Sequence, residues 1–333
     1  MALIVQKFGG SSLNNFENRI KAVKKIIKAK KEGHDVVVVV SAMGRRNDPY
    51  ATDTLLDLIY QHSNNVNLRN TDLLLSCGEI ISAVIIAAML ENEGYQSVAL
   101  TGFQAGIITD DNFGNAEVID VKTDNIKRLL KEGKIPVITG FQGITKDFEI
   151  TTLGRGGSDI SAVVIGGYLN ADKVEIYTDV PGVAVIDPSI CPYAKFLKNI
   201  SFDEMINMAV CGARVMHPKA VEFAKRFNLP FYVKSTFSEE EGTLVGFDNS
   251  KEYITGIIVK EGEISIILNN ESRFSKSIER KVRNILKNYE YKEMYWSMDA
   301  FKILMNNNFA KDAALKIYHE FFAENIEEKA ISF

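Results

Sequence analysis

The sequence predicts an α/β protein in two parts: a mostly parallel β-sheet sandwiched between helices, then a small α+β unit of β-α-β-β-α-β order. Three observations carry this. The run Asp35-Val36-Val37-Val38-Val39-Val40 is β-branched without a polar break, as in a strand buried on both faces. Such runs alternate with segments whose apolar residues recur at helical spacing, as Phe16, Ile20, Val23, Ile26 and Ile27 do, which is the pattern of parallel strands joined by crossover helices. Past Thr243-Leu244-Val245 the alternation gives way to a different order of elements over about eighty residues, enough for a small independent domain. The expected boundaries are therefore residues 1–245, a polar link at 246–252, and residues 253–333.

In chain order, Ala2 to Phe8 is a β-prone run broken by Gly9-Gly10-Ser11-Ser12, and the helix and strand that follow complete a βαβ unit. Lys7 stands one residue before the end of the first strand, at the carboxyl edge where open parallel sheets place their ligands. Neither G-x-x-x-x-G-K-[ST] nor G-x-G-x-x-G occurs there, so the two common nucleotide fingerprints do not apply. A second glycine turn, Ser41-Ala42-Met43-Gly44, ends the valine strand and leads into a polar loop, Arg45 to Tyr50, expected to be mobile. Thr52 or Asp53 is the expected cap of the next helix. Thr71 to Glu91 is apolar and helical, yet carries Ser76-Cys77-Gly78-Glu79 near its middle. A carboxylate inside a buried helix requires compensation by an arginine, an amine ligand or a cleft, and the cleft is the expectation here.

Ser97 to Thr101, Ile135 to Thr139 and Val174 to Thr178 read as further strands, with helices at Asn125 to Leu130 and Ile160 to Leu169. Several strands end in turn chemistry, at Thr101-Gly102, Gly140 to Gly143 and Thr178 to Gly182, so ligand-facing loops collect on one edge. Between the strands lies Thr151-Thr152-Leu153-Gly154-Arg155-Gly156-Gly157-Ser158-Asp159-Ile160-Ser161, a glycine-rich loop with a Ser-Asp pair that can cap, opening a buried helix. Its glycines allow close approach of a ligand, the helix terminus favours an anion, and Arg155 adds a planar fork of donors. A plain helix cap with a surface arginine is the alternative reading of the same residues. Further on, Ser201 and Asp203 are candidate caps for a helix to Val210. His217 reads as a structural residue before a helix from Pro218 to Phe227. The second part runs through strands at Ile254 to Val259 and Ile264 to Leu268, a helix at Phe274 to Tyr289, strands at Met294 to Met298 and Phe301 to Met305, a helix at Ala310 to Phe322, and an apolar end at Ala330 to Phe333.

Composition excludes several classes. With 333 residues, 46% hydrophobic, the chain can build two cores. A formal charge of -4 from evenly mixed charges offers no global field for nucleic acid or an anionic membrane. No signal peptide is read at Met1 to Lys7 and no membrane span is expected, which together give a cytosolic expectation. Cys77, Cys191 and Cys211 are odd in number and widely spaced, against both a disulfide framework and a zinc site.

Taken together, Lys7 to Ser12, Ser41 to Gly44, Ser76 to Glu79, Thr151 to Asp159, Thr178-Asp179-Val180-Pro181-Gly182 and Gly212-Ala213-Arg214-Val215-Met216-His217-Pro218 follow one another in the order of a known family. Over its first 245 residues the chain resembles the aspartate kinases of the amino acid kinase superfamily, and Ser41 to Leu55 is similar to the form in Gram-positive bacteria. The resemblance implies the amino acid kinase fold and phosphoryl transfer from MgATP to the side-chain carboxylate of L-aspartate, the opening step of lysine, threonine and methionine biosynthesis. By motif, Lys7 would neutralise phosphate charge, Gly9 and Gly10 would offer backbone donors, and Asp159 would hold Lys7. Arg155 would grip a substrate carboxylate and Glu79 its amino group, while Ser41, Thr52 and Ser158 would position the acceptor. Thr178, Asp179, Val183, Ala184, Asp187 and Arg214 would line the nucleotide pocket, and Mg2+ would come with ATP rather than on a dedicated protein site.

The chain departs from the family at three places: Ala184 and Ser189 where tyrosine and arginine are common, and Arg214 where lysine is. After Tyr253 there is length for one ACT-like regulatory unit rather than the usual tandem pair. Such units pair, so a homodimer with a possible amino-acid effector is expected. Two alternatives stay open: another amino acid kinase, and a catalytically weakened homologue kept as a regulatory subunit.

Overall fold

The computed structural model describes residues 2–322 except Arg273. In chain order its elements are β1 (Leu3–Phe8), α1 (Gly10–Leu13), α2 (Phe16–Lys31), β2 (Asp35–Val40), α3 (Thr52–Tyr60), α4 (Leu68–Asn92), β3 (Ser97–Leu100), β4 (Ile107–Thr109), β5 (Val118–Val121), α5 (Asp124–Lys131), β6 (Ile135–Thr139), β7 (Gln142–Ile144), β8 (Ile150–Thr152), α6 (Gly157–Leu169), β9 (Lys173–Thr178), β10 (Asn199–Ser201), α7 (Phe202–Val210), α8 (Pro218–Arg226), β11 (Phe231–Ser235), β12 (Thr243–Gly246), β13 (Ile254–Lys260), β14 (Glu263–Leu268), α9 (Lys276–Ile285), β15 (Tyr291–Trp296), β16 (Phe301–Met305) and α10 (Asn307–Phe322). They fall into two compact units. Residues up to 181 with 222–241 form the first, and residues 182–221 with those from 242 on form the second.

The first unit is built on six parallel strands in the order β11-β9-β1-β2-β6-β3. Val36 to Val40 are each 0% exposed, so the unbroken valine run is explained by burial on both faces. Alternation divides the strand. Val36, Val38 and Val40 join Ile26, Ile86 and Leu90 in a core under α2 and α4, and α6 lies across β1, β2 and β9 near Val5. Parallel register places the ends of β1, β2, β6 and β9 on one edge: Phe8 pairs with Val40 and with Tyr177, and Val40 pairs with Thr139.

A second, four-stranded sheet of this unit, in the order β5-β4-β7-β8, has no counterpart in the sequence reading. Its strands hold only three or four residues each, so although isoleucine, valine and threonine dominate them they are too short for a periodicity signal. Caps also differ from expectation. Ala51, not Thr52 or Asp53, stands at the start of α3 without a side-chain cap. Gly156, in the left-handed region at φ 68°, stands at the start of α6, so Ser158 and Asp159 lie inside its first turn. By length and composition alone α4 is apolar enough to cross a membrane, contrary to the expectation that no segment approaches a span. Half of that window is buried in the protein, as in the core helix of a folded domain.

In the second unit β10 and β12 pair in parallel, and β13-β14-β16-β15 form an antiparallel sheet. Helix α7 begins with a capping box: the Ser201 hydroxyl accepts from the Glu204 N–H while Glu204 accepts from Ser201 N. Ala310, Ala313, Ala314 and Ile317 of α10 are fully buried, and α10 covers β13 and β14. The individual elements listed from the sequence are found as far as α10, but in the order β13-β14-α9-β15-β16-α10, with two strands before the first helix where β-α-β-β-α-β is expected; the expected apolar end at Ala330 to Phe333 lies outside the described residues. His217 accepts a hydrogen bond from the Lys219 N–H through Nδ1 at 3.3 Å, the kind of contact expected of a structural residue leading into α8.

Candidate active site

A lysine late in a parallel strand reaches out at the carboxyl edge, and here it meets a carboxylate from the neighbouring helix. Lys7 Nζ lies 2.7 Å from Asp159 Oδ1, with both side chains about nine-tenths buried. The turn after β1 is packed against the turn after β2. Gly44 N donates to Gly10 O at 3.0 Å, and a Cβ on Gly10 would stand 2.6 Å from the Gly44 carbonyl oxygen, so no side chain fits. The Gly9 N–H donates to the Tyr177 carbonyl at 3.2 Å, so of the two glycines expected to offer backbone donors, Gly9 has its donor engaged within the protein. Tyr177 also stacks on Phe8, with ring centroids 4.8 Å apart, and its hydroxyl donates to Glu175, which fixes the strand end that carries Lys7.

Helix α4 contributes an inner line of polar residues, Asp72, Ser76, Glu79 and Ser82, each no more than 2% exposed. The spacing of Asp72, Ser76 and Glu79 puts them on one helical face. Asp72 and Glu79 reach different segments of the edge through their side chains, and Ser76 meets β7 through its backbone carbonyl. Glu79 Oε1 accepts from the Ala42 N–H at 2.9 Å in the turn after β2. The Ser76 carbonyl accepts from Gln142 Nε2 at 3.0 Å. Asp72 accepts from the amides of Gly114 and Thr152, each at 2.8 Å, and from the Thr152 hydroxyl at 2.8 Å.

Glu79 differs from the sequence expectation in one respect. It was expected to face a cleft, but it is 2% exposed, and its Oε2 is buried with no hydrogen-bond partner among the described residues. Burial pushes its carboxyl up to about 8, against the Ala42 amide, which favours the ionised form. Burial likewise raises the Asp72 carboxyl above the ordinary range, opposed by its three donors.

The loop between β8 and α6 carries Arg155, exposed, and Ser158, buried against Gly140 at the end of β6. Ser41 follows β2 and donates its N–H to the Phe8 carbonyl at 3.1 Å; Thr52 is the first residue of α3, and both are half-buried. At the end of β9 the Thr178 hydroxyl donates to Asp179, and Asp179 pairs with Arg45 at 2.6 Å. Arg45 belongs to the loop read as mobile, which is tied further by Arg45 N to Asp48 and Asn47 N to Thr54.

The remaining residues expected at the nucleotide belong to the second unit. Val183 is fully buried and donates to Thr243 Oγ1, Ala184 bridges to Phe196, Asp187 accepts from the Ser189 N–H, and Arg214 is exposed. Cys77 and Cys211 carry free thiols, with Cys77 exposed. Among the described residues there is no cluster of three or more His, Cys, Asp or Glu able to hold a metal.

Of the expected site residues, the first unit thus joins Lys7 to Asp159 by an ion pair, Gly10 to the Ala42–Gly44 turn by packing, and that turn to Glu79 by a hydrogen bond. Sequence reasoning missed Asp72. Its only signal was an acid seven residues before Glu79 on the same face of an apolar helix.

Comparison with known proteins identifies the family. The model of the amino acid kinase family matches residues 2–235. An aspartokinase of Geobacillus stearothermophilus is 47% identical over 252 residues, covering 76% of this chain and 61% of the relative. Aspartokinase 1 of Bacillus subtilis is 45% identical over 265 residues, covering 77% of this chain and 66% of the relative. The chain therefore spans about three fifths of the length of these curated relatives. In fold, it matches a crystal structure of Escherichia coli aspartokinase III in complex with aspartate and ADP, with a TM-score of 0.79 over 96% of this chain and all of that one, at 19% identity.

Proposed function

The chain belongs to the amino acid kinase family, and from that premise we propose that it transfers the γ-phosphoryl group of ATP to the side-chain carboxylate of L-aspartate, giving 4-phosphoaspartate and ADP. A carboxylate oxygen attacks the γ-phosphorus, the bond from that phosphorus to the bridging oxygen breaks, and its electron pair leaves on ADP. The acceptor is ionised at neutral pH, so no general base is needed. Catalysis then rests on in-line positioning and dispersal of charge. In this reading Lys7, held by Asp159, faces the transferring phosphate, and the backbone at Gly10 adds a donor. Arg155 forks onto the substrate's other carboxylate, with Ser41, Thr52 and Ser158 ordering the acceptor.

The observation that favours an acceptor with a free amine is Glu79. A buried carboxylate with one unpartnered oxygen is compensated by a substrate ammonium group, which aspartate has and a nucleoside monophosphate, a carbamate or an acylated amino acid lacks. The relatives named as aspartokinases support the same choice. Within the first unit, Thr178 and Asp179 are proposed to meet the nucleotide. Mg2+ is proposed to arrive on the ATP phosphates, with Asp159 and Asp179 each already paired with a cation.

We assign residues 1–245 to the kinase domain, 246–252 to a linker and 253–333 to an ACT-like domain that pairs two chains and can take an amino-acid effector, in a cytosolic enzyme. The experiment is chemical trapping: with ATP, Mg2+ and L-aspartate, hydroxylamine should convert the acyl phosphate product to a hydroxamate in step with ADP formation. ADP formed with no trapped hydroxamate would reject a carboxylate acceptor.

A further inference from the structure

The buried carboxylate of Asp72 has no part in the mechanism above, yet it joins two loops at the acceptor side of the site. One oxygen, Oδ2, accepts from the Gly114 N–H and the Thr152 N–H, each at 2.8 Å, and the other accepts from the Thr152 hydroxyl at 2.8 Å. Asp72 itself is 0% exposed, so these bonds form where an unmade bond is costly. Thr152 is the last residue of β8, three before Arg155. The Gly114 loop is in turn the surface on which the arginine loop rests. Gly154 adopts φ +72°, and a Cβ there would stand 2.7 Å from Asn115 Oδ1 and 3.3 Å from the Gly114 carbonyl. Ala116 N donates to Thr152 O at 2.9 Å, and Gly157 N donates to Gly154 O at 3.0 Å.

Asp72 therefore holds both the strand end from which the Arg155 turn departs and the loop against which that turn is folded. Arg155 is exposed, so its direction is set by its backbone rather than by packing of its side chain.

We propose that Asp72 is a positioning residue for Arg155: a buried clamp that fixes the Leu153–Gly156 turn so that the guanidinium meets the substrate carboxylate. The proposal rests on the reading of Arg155 as the acceptor-carboxylate ligand. It places Asp72 and Glu79 as two outputs of one helix, seven residues apart, one setting the loop that grips the carboxylate and the other taking the amine.

The test uses the full chain and three variants, Asp72→Asn, Asp72→Ala and Thr152→Val, with two readouts. The first is amide hydrogen exchange over residues 152–157. The clamp predicts faster exchange there in Asp72→Ala, with a smaller increase in Thr152→Val, which loses only the hydroxyl. Asp72→Asn keeps one oxygen for the two amides and should fall between wild type and Asp72→Ala. The second is steady-state kinetics. The KM for aspartate should rise about tenfold to a hundredfold in Asp72→Ala, the scale of a small misplacement of a binding group. It should rise severalfold in Thr152→Val, with the KM for ATP unchanged in both. A merely structural role would lower Tm and move both KM values together. If Asp72→Ala does not fold, the other two variants decide. Unchanged exchange in all soluble variants would overturn the clamp, as would faster exchange with an unchanged KM for aspartate. Absence of turnover with aspartate in the wild type would instead overturn the functional reading, and the exchange data would still decide the clamp.

Discussion

A glutamate with 2% of its surface exposed and one oxygen unpartnered does not titrate as it would in water. Because burial raises the Glu79 carboxyl to about 8, the folded protein holds a proton there that the unfolded chain releases near pH 4.5. Its contribution to stability is therefore fully present below about pH 4.5, is lost as pH rises toward about 8, and changes no further above that. Over this window the ligand-free wild type should lose on the order of a few kcal/mol relative to Glu79→Gln, read as Tm against pH for the two proteins. A parallel pair of curves would show that the carboxyl titrates normally. The same argument has a sign for binding: an ammonium ligand favours the ionised form, so aspartate uptake near pH 7 should release a proton, visible as a buffer-dependent heat. Glu79 was legible in the sequence as a carboxylate out of place in an apolar helix. Asp72 was not, because an acid in the early turns of a helix is ordinary complement to the helix dipole, and its three partners come from residues 42 and 80 positions away.

At the scale of the element, α4 is the part on which the site is assembled, and Gly78 shows how closely it is fitted. A Cβ on Gly78 would stand 2.8 Å from both the Ala42 Cβ and the Tyr50 carbonyl oxygen. Helix propensity alone says that Gly78→Ala should stabilise by about 1 kcal/mol. Overpacking against backbone costs about 1–3 kcal/mol and wins, because the Tyr50 carbonyl cannot rotate away as a side chain would. The expected outcome is a lower Tm together with a raised KM for aspartate, since Ala42 is the residue whose amide holds Glu79; a Tm at or above wild type would contradict it. The large sheet was legible for the reason α4 was: β1, β2, β6 and β9 each carry four or five apolar or β-branched residues in a run long enough to stand out. The small sheet was hidden because β4, β7 and β8 hold only three residues each and are held by pairing with distant chain, including a Thr109–Thr151 hydroxyl contact of 2.6 Å. Likewise the start of α6 is set by a left-handed glycine, Gly156, rather than by the Ser-Asp pair that the sequence offered as caps.

For the whole molecule, the reading is that loops from separate stretches of chain meet at one sheet edge to hold a phosphate donor beside a small amino acid. Within the first unit the pieces are tied in series: Asp159 to Lys7, the turn after β1 to the turn after β2, that turn to Glu79, and Asp72 to the loop of Arg155. The second unit contributes an antiparallel sheet backed by α10. The central claim is the acceptor. The direct measurement is ADP release by the full chain with ATP and Mg2+, comparing L-aspartate, L-glutamate and no acceptor. The account predicts ADP release with aspartate and only background with the other two; equal rates in all three, or turnover with glutamate alone, would contradict it.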